Sequence, residues 1–161
     1  MVIGITVQAD EAAVRHDIQA LYDRASAASI TARTLQDLDA IHDWLDTPDC
    51  VYADAGEPRR TWAAMRSYAA QGLQTRLKTF SSRILDLEVR GSTAIATTLV
   101  RGVAPIADSE GRFGPKGAIH DVETTATVRD VWTRAAGSWR RQSHDKIVAN
   151  AITAVDGEKL K

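Results

Sequence analysis

A chain of 161 residues with 44% apolar and 25% charged side chains suits one soluble domain, residues 1–161, with a single substantial core; a disordered polymer and a membrane protein are excluded. Twenty basic side chains against twenty-one acidic ones leave a net charge of -1, so no whole-molecule field draws in nucleic acid or an anionic membrane, and neither partner is expected. The lone cysteine, Cys50, can make no intramolecular disulfide, and the start MVIGITVQADEAA has neither a basic leader nor a long apolar run, which together point to the cytoplasm.

From Asp10 to about Thr31, Val14, Ile18, Leu21, Tyr22 and Ala25 recur at the three-to-four spacing of one helix face. A second helix is expected from Thr34 to about Leu45, with Leu35, Leu38, Ile41 and Leu45 as its stripe, a capping-box-like start at Thr34 and Asp37, and a stop at Pro48. Cys50 to Asp54 reads as a short strand closed by Ala55-Gly56 and Glu57-Pro58. Thr61 then caps a third helix, in which Trp62, Met65 and Ala69 share a face and which Gly72 ends.

Beyond Arg76 the period changes to that of strands. Leu85, Leu87 and Val89 alternate with Asp86 and Glu88, Gly91-Ser92 supplies a tight turn, and Ala94 to Val103 runs back. That register sets Leu85, Leu87 and Val89 opposite Thr98, Ala96 and Ala94 on a smooth face suited to helices. Ile84, Ile95 and Leu99 fall on the other face beside Asp86, Glu88 and Arg101. Pro105 to Gly117 is a Gly- and Pro-rich loop, either a lid or a long connection. Two long strands follow, from about Ile119 to Thr133 and Ser138 to Val148, and the tail from Asp156 is expected to fray.

Three helices followed by long strands, with one short strand between the second and third helix, resemble the NTF2-like superfamily, which includes ketosteroid isomerases and SnoaL-like polyketide cyclases. The run DLDAIHDWLDTPDCVYADAGEPRRTWAAM, Asp37 to Met65, is similar to that family's helix, acidic turn, short strand ending in Asp, and next helix. VWTRAAGSWRR, Val131 to Arg141, is similar to its closing hairpin. The resemblance covers nearly the whole chain. It implies an α+β cone of cystatin-like fold, three N-terminal helices packed on a curved antiparallel sheet with an apolar pocket between them. It also implies a homodimer paired through the sheets, which the apolar content of the Ile84, Ile95 and Leu99 face supports.

By the same resemblance Asp54 falls where ketosteroid isomerases carry a catalytic carboxylate, and at an apolar cavity wall its pKa would rise towards that of a general base. Read from the residues alone, Asp54 can equally close the turn into Ala55-Gly56. The tyrosine those isomerases add from their first helix would fall near Ser29, and Tyr22 lies two turns earlier, so ketosteroid isomerisation itself is not implied. His120, beside the loop, and His144, inside the last strand, are candidate acids or bases or else structural histidines, because the sequence does not fix which strand face points inward. His16 and His42 read as surface. Tyr22, Trp44, Tyr52, Trp62, Met65 and Tyr68 are candidates to line a ligand pocket, core packing being the other fate of each. Trp132 and Trp139 read as pins for the end of the closing hairpin.

No grouping of His, Cys, Asp and Glu has metal spacing, and there is no phosphate loop, nucleophile elbow or Cys-His couple, so neither metal nor cofactor is expected. An Asp, Arg, Asp relay of the limonene-epoxide-hydrolase kind would draw on Asp54, Arg101 and Asp130. The expectation is a small cofactor-free enzyme of the SnoaL-like kind, using Asp54 as general base with a histidine to move a proton on an apolar small molecule in an isomerisation, cyclisation, dehydration or hydration. The alternative is a non-catalytic small-molecule-binding or dimerisation domain.

Overall fold

Helix α1 runs over Ile3–Thr31 in the computed structural model, which describes residues 3–161, with side chains from Asp10 onward. Its stripe Val14, Ile18 and Tyr22 is buried. Helix α2, Leu35–Leu45, starts where the sequence indicates: the Thr34 hydroxyl accepts the Asp37 N–H, and the Asp37 carboxylate accepts the Thr34 N–H in return. Pro48 is not what stops α2. The helix ends at Leu45, Asp46 already opens strand β1 (Asp46–Ala53), and Pro48 sits in the irregular stretch between the paired residues Asp46 and Val51, where its missing N–H costs no ladder bond. After β2, Arg60–Thr61, helix α3 spans Trp62–Gly72 with the Thr61 hydroxyl capping the Ala64 N–H.

The remaining strands are β3 (Thr79–Arg90), β4 (Thr93–Ala107), β5 (Ile119–Ala135), β6 (Ser138–Val155) and β7 (Glu158–Lys159), and the sheet order is β2-β1-β6-β5-β4-β3 with β7 paired to β6. The sheet is mixed and unclosed. The expected antiparallel pattern holds except for β1, which joins β6 in parallel. No hairpin links these two strands, so nothing local forces them to oppose. Repeated register shifts between β5 and β6 bend the sheet around the helices.

One bulge corrects the face assignment of the β3–β4 hairpin. The two-residue turn sets Val89 opposite Ala94 and Leu87 opposite Ala96 as expected, but the pairing slips between Asp86 and Ile84, so that Ile84, not Leu85, stands opposite Thr98. Ile84 is thereby 8% exposed under the helices, and Leu85, 47% exposed, turns outward.

The core is Val14, Ile18 and Tyr22 of α1, Leu45 of α2, and Ile84, Leu87, Ala94, Ala96, Trp132 and Trp139 of the sheet. Trp132 is therefore a core residue rather than a hairpin pin. Two flexible-looking segments are tied down. The expected loop from Pro105 is shorter, because β4 pairs with β5 through Ala107, and beyond it the Asp108 carboxylate accepts the N–H groups of Arg112 and Phe113 and closes the connection to β5. Asp156-Gly157, both at positive φ, turn β7 back onto β6 instead of letting the tail fray. No helix among the described residues is long and apolar enough to cross a membrane.

Candidate functional site

Tyr22 reaches from α1 to the sheet, where its hydroxyl donates to Oδ2 of Asp130 on β5 at 2.5 Å. The Tyr22 hydroxyl oxygen in turn accepts from the Thr98 hydroxyl and the Trp132 indole N–H, each at 3.2 Å. A phenol has one proton and two lone pairs, and all three are committed. Burial, and then the Asp130 charge, hold the Tyr22 pKa well above its usual value, so it stays a neutral donor.

Asp130 has no exposed surface. Its Oδ1 lies 2.7 Å from Nδ1 of His144 on β6. Nδ1 also lies 2.8 Å from Nη1 of Arg141, and only one of these contacts can be a hydrogen bond from a given tautomer. A carboxylate facing the bare lone pair of Nδ1 would be repelled, so Nδ1–H donates to Asp130. Nε2 of His144 has no hydrogen-bond partner among the described residues, and the residue lines the cavity. Burial alone would raise the Asp130 pKa, but the charges of His144 and Arg141 and the bonds from His144 and Tyr22 outweigh it and hold the carboxyl below the ordinary range.

Arg141, itself buried, lies between two carboxylates. Its Nε donates to Oδ1 of Asp46 at 2.6 Å and its Nη2 to Oδ2 at 3.2 Å, while Nη1 faces Oδ2 of Asp130 at 3.8 Å. Burial would lower the Arg141 pKa, but the two carboxylates outweigh it and keep the guanidinium charged. Asp46 further accepts the Tyr52 hydroxyl at 2.7 Å and lies 3.1 Å from Nδ1 of His42. Burial opposes its charge, yet Arg141, His42 and Tyr52 together drop its pKa far below that of a free carboxylate.

The cavity these groups border holds about 450 Å³ between α1, α2 and the sheet. Ala25, Ile41, Leu45, Phe80, Val100 and Val128 make its apolar walls, while Tyr22, Arg141, His144 and Lys146 are polar members of its lining. A smaller void of about 190 Å³, which shares Ser29, Ile41 and Arg141 with it, is lined by His42, Asp46, Tyr52 and Trp62.

Among the residues singled out from sequence, Tyr22 and His144 meet at the main cavity, and Tyr52 and Trp62 meet at the smaller void. The others lie apart. Asp54 does not line the cavity: it follows the last residue of β1, its side chain is 56% exposed, and it pairs with Nζ of Lys146 at 2.9 Å. The expected rise in its pKa is corrected too, since the Lys146 hydrogen bond lowers it. His120 stands away from the cavity, with Nδ1 2.6 Å from Asp156 and its ring edge against Phe113. Trp44 lies under the Arg24 guanidinium, Met65 is half-buried on α3 away from the cavity, and Tyr68 is exposed beneath Arg60. His42 is not a surface residue: it shares a helix face with Leu38 and Leu45 and stacks on Trp62 at 5.1 Å.

An Asp, Arg, Asp trio does form, from Asp46, Arg141 and Asp130. Arg101 instead pairs with Glu123 on the surface. Both carboxylates of the trio are buried and tied to donors, Asp130 to His144 and Tyr22, Asp46 to Arg141, His42 and Tyr52. Sequence reasoning missed Asp46, Arg141 and His42. Simple alternation puts Arg141 and His144 on opposite faces of β6, but Arg141 pairs with Trp132 and Ser143 with Val131, so Gln142 is an extra residue that brings both to the cavity side. Among the described residues no group of three or more His, Cys, Asp and Glu is placed to hold a metal ion.

No protein-family model and no curated protein matches the sequence. Solved structures do. A conserved protein from Planctomyces limnophilus aligns with a TM-score of 0.62 at 17% identity, over 87% of this chain and 98% of that one. An NTF2-like superfamily protein from Salmonella enterica aligns at 0.58 and 18% identity, over 92% and 99% of the two chains. A protein provisionally named scytalone dehydratase from Novosphingobium aromaticivorans aligns at 0.57 and 12% identity, over 95% and 93%. The chain has the NTF2-like, cystatin-like α+β fold.

Proposed function

We propose that this protein is a cofactor-free enzyme that moves a proton on an apolar small molecule held in the cavity, by isomerisation, cyclisation, dehydration or hydration, with His144 as acid and base. The observation that carries the reading is the buried Asp130 beside Nδ1 of His144, a residue of the cavity lining, which leaves Nε2 for a ligand. Nε2 takes a proton from an activated C–H of the ligand, and the resulting imidazolium is stabilised by Asp130. Return of the proton to a second carbon is isomerisation, and its delivery to a departing hydroxyl is dehydration. Tyr22 acts through Asp130 as a positioning residue.

The test uses activated cyclic ketones, 2-tetralone first, incubated in D2O with α-proton exchange followed by NMR. The protein should accelerate exchange, and His144→Gln should remove about 10²–10⁴ of the rate, the usual range for a general base. His120→Ala, which alters a group away from the cavity, should exchange like the parent. Full activity in His144→Gln sinks the mechanism and favours the non-catalytic binding domain.

The outward sheet face pairs Ile95 with Val131 and adds Leu99, all half-buried, with Leu85 exposed near them, and this supports a homodimer through the sheet. Light scattering at micromolar concentration tests it, and a strict monomer refutes it. The free thiol of Cys50, buried among its neighbours, fits a reducing compartment such as the cytoplasm.

A further inference from the structure

A second chamber of about 540 Å³ opens off the cavity, between the end of α1, the end of α3 and the segment leading to β3. The two share Ser29, Leu77, Phe80 and Lys146, so Lys146 stands at the throat between them. The outer chamber adds Arg33 and Arg76 to the lining. No aspartate or glutamate lines either chamber, although the chain as a whole carries more acidic than basic side chains.

The carboxylates that offset these cations stand behind or outside the walls. Asp46 and Asp130 are buried beside Arg141, and Asp54 holds Lys146 from the solvent side. Nη1 of Arg33 donates to the carbonyls of Ile30 and Ala32, and its charge is offset only in part by the nearby Asp37 carboxylate. With the second chamber taken as the outer one, the charged lining runs from Arg33 and Arg76 there to Lys146 where the two meet and to His144 and Arg141 in the inner lining.

From this arrangement we propose that the ligand is an anion: a small ring system bearing one carboxylate, with the ring in the inner chamber and the carboxylate at the throat against Lys146. An amphiphile of this kind matches a cavity whose charged lining is cationic and whose volume, about 450 Å³, admits a small fused-ring system. The mouth cations also raise the local concentration of anions and hasten their entry, an effect that salt removes. The proposal rests on the reading of this cavity as the ligand site and narrows it to a substrate class.

The experiment compares 2-naphthoate with 2-naphthamide, of the same shape but without charge, by calorimetry on the parent, Lys146→Met and Arg76→Gln. The expected result is a preference of about tenfold or more for the naphthoate at low salt, equivalent to about 1.4 kcal/mol. The preference should shrink at about 0.5 M salt, where charges beyond a few ångströms are screened. Lys146→Met should remove most of it by weakening naphthoate far more than naphthamide, and Arg76→Gln, a change at an exposed residue, should weaken it severalfold. Equal binding of the two probes overturns the anion proposal and leaves the cavity reading standing. A preference that survives both substitutions overturns it as well. Failure of both probes to bind the parent overturns the proposal and the cavity reading together.

Discussion

Tyr22→Phe isolates the contribution of one hydroxyl to the buried network, because the ring that packs edge-on against Trp132 at 5.3 Å is retained and no cavity opens. Three hydrogen bonds go with it. Asp130 loses its donor at Oδ2, leaving only Arg141 at 3.8 Å on that oxygen, and Thr98 and Trp132 each keep a donor with no partner. A bond to a charged group contributes about 1.5–3 kcal/mol and a stranded buried donor costs about 1–3 kcal/mol, so with incomplete additivity the expected loss is about 3–5 kcal/mol. With a urea slope of about 1–3 kcal/mol/M, the unfolding midpoint should fall by more than about 1 M at unchanged slope. The Asp130 carboxyl, deprived of the Tyr22 bond that helps to lower its pKa, should also titrate higher than in the parent. A loss below about 0.5 kcal/mol, the scale of a neutral surface change, would refute the buried phenol–carboxylate bond.

The two buried carboxylates also set the acid limit of the fold. Asp46 and Asp130 titrate below the ordinary value of about 3.9 when folded, so the unfolded chain binds more protons in acid; the stability they confer is present above about pH 4 and is lost as pH falls towards the depressed values. Urea midpoints between pH 7 and pH 2 should trace that loss, and a flat profile would refute it. Arg141→Met should destabilise by about 3–5 kcal/mol, because it strands two buried carboxylates, and Arg141→Lys should restore little of this because an ammonium cannot make the paired bonds to Asp46. Burial, with the Asp46 charge, pushes the Cys50 thiol up to about 12, so it should resist a thiol reagent in the folded protein and react at once in denaturant.

Periodicity and cap chemistry carried the local structure. The stripe Val14, Ile18 and Tyr22, the Thr34 and Asp37 box, and the Gly91-Ser92 turn are all settled by neighbours a few residues away. The candidate site was less accessible because it depends on pairing at long range. Resemblance drew attention to the correct strand, β1, but to the acid at its end rather than Asp46 at its start, and only the partnership with Arg141, ninety-five positions later, makes Asp46 the buried one. The same limit explains His42, polar beside Asp43 in the sequence yet turned inward by Trp62 and Asp46.

The decisive feature is smaller than any motif. Were Gln142 paired normally in β6, every side chain on one side of it would move to the opposite face, and Arg141 and His144 could not share a cavity. The bulge costs ladder regularity at one residue and places the guanidinium beside the imidazole, so that a single carboxylate, Asp130, meets both. The irregularity at Gln142 therefore belongs to the site itself, and it is invisible to a reading that assumes strict alternation.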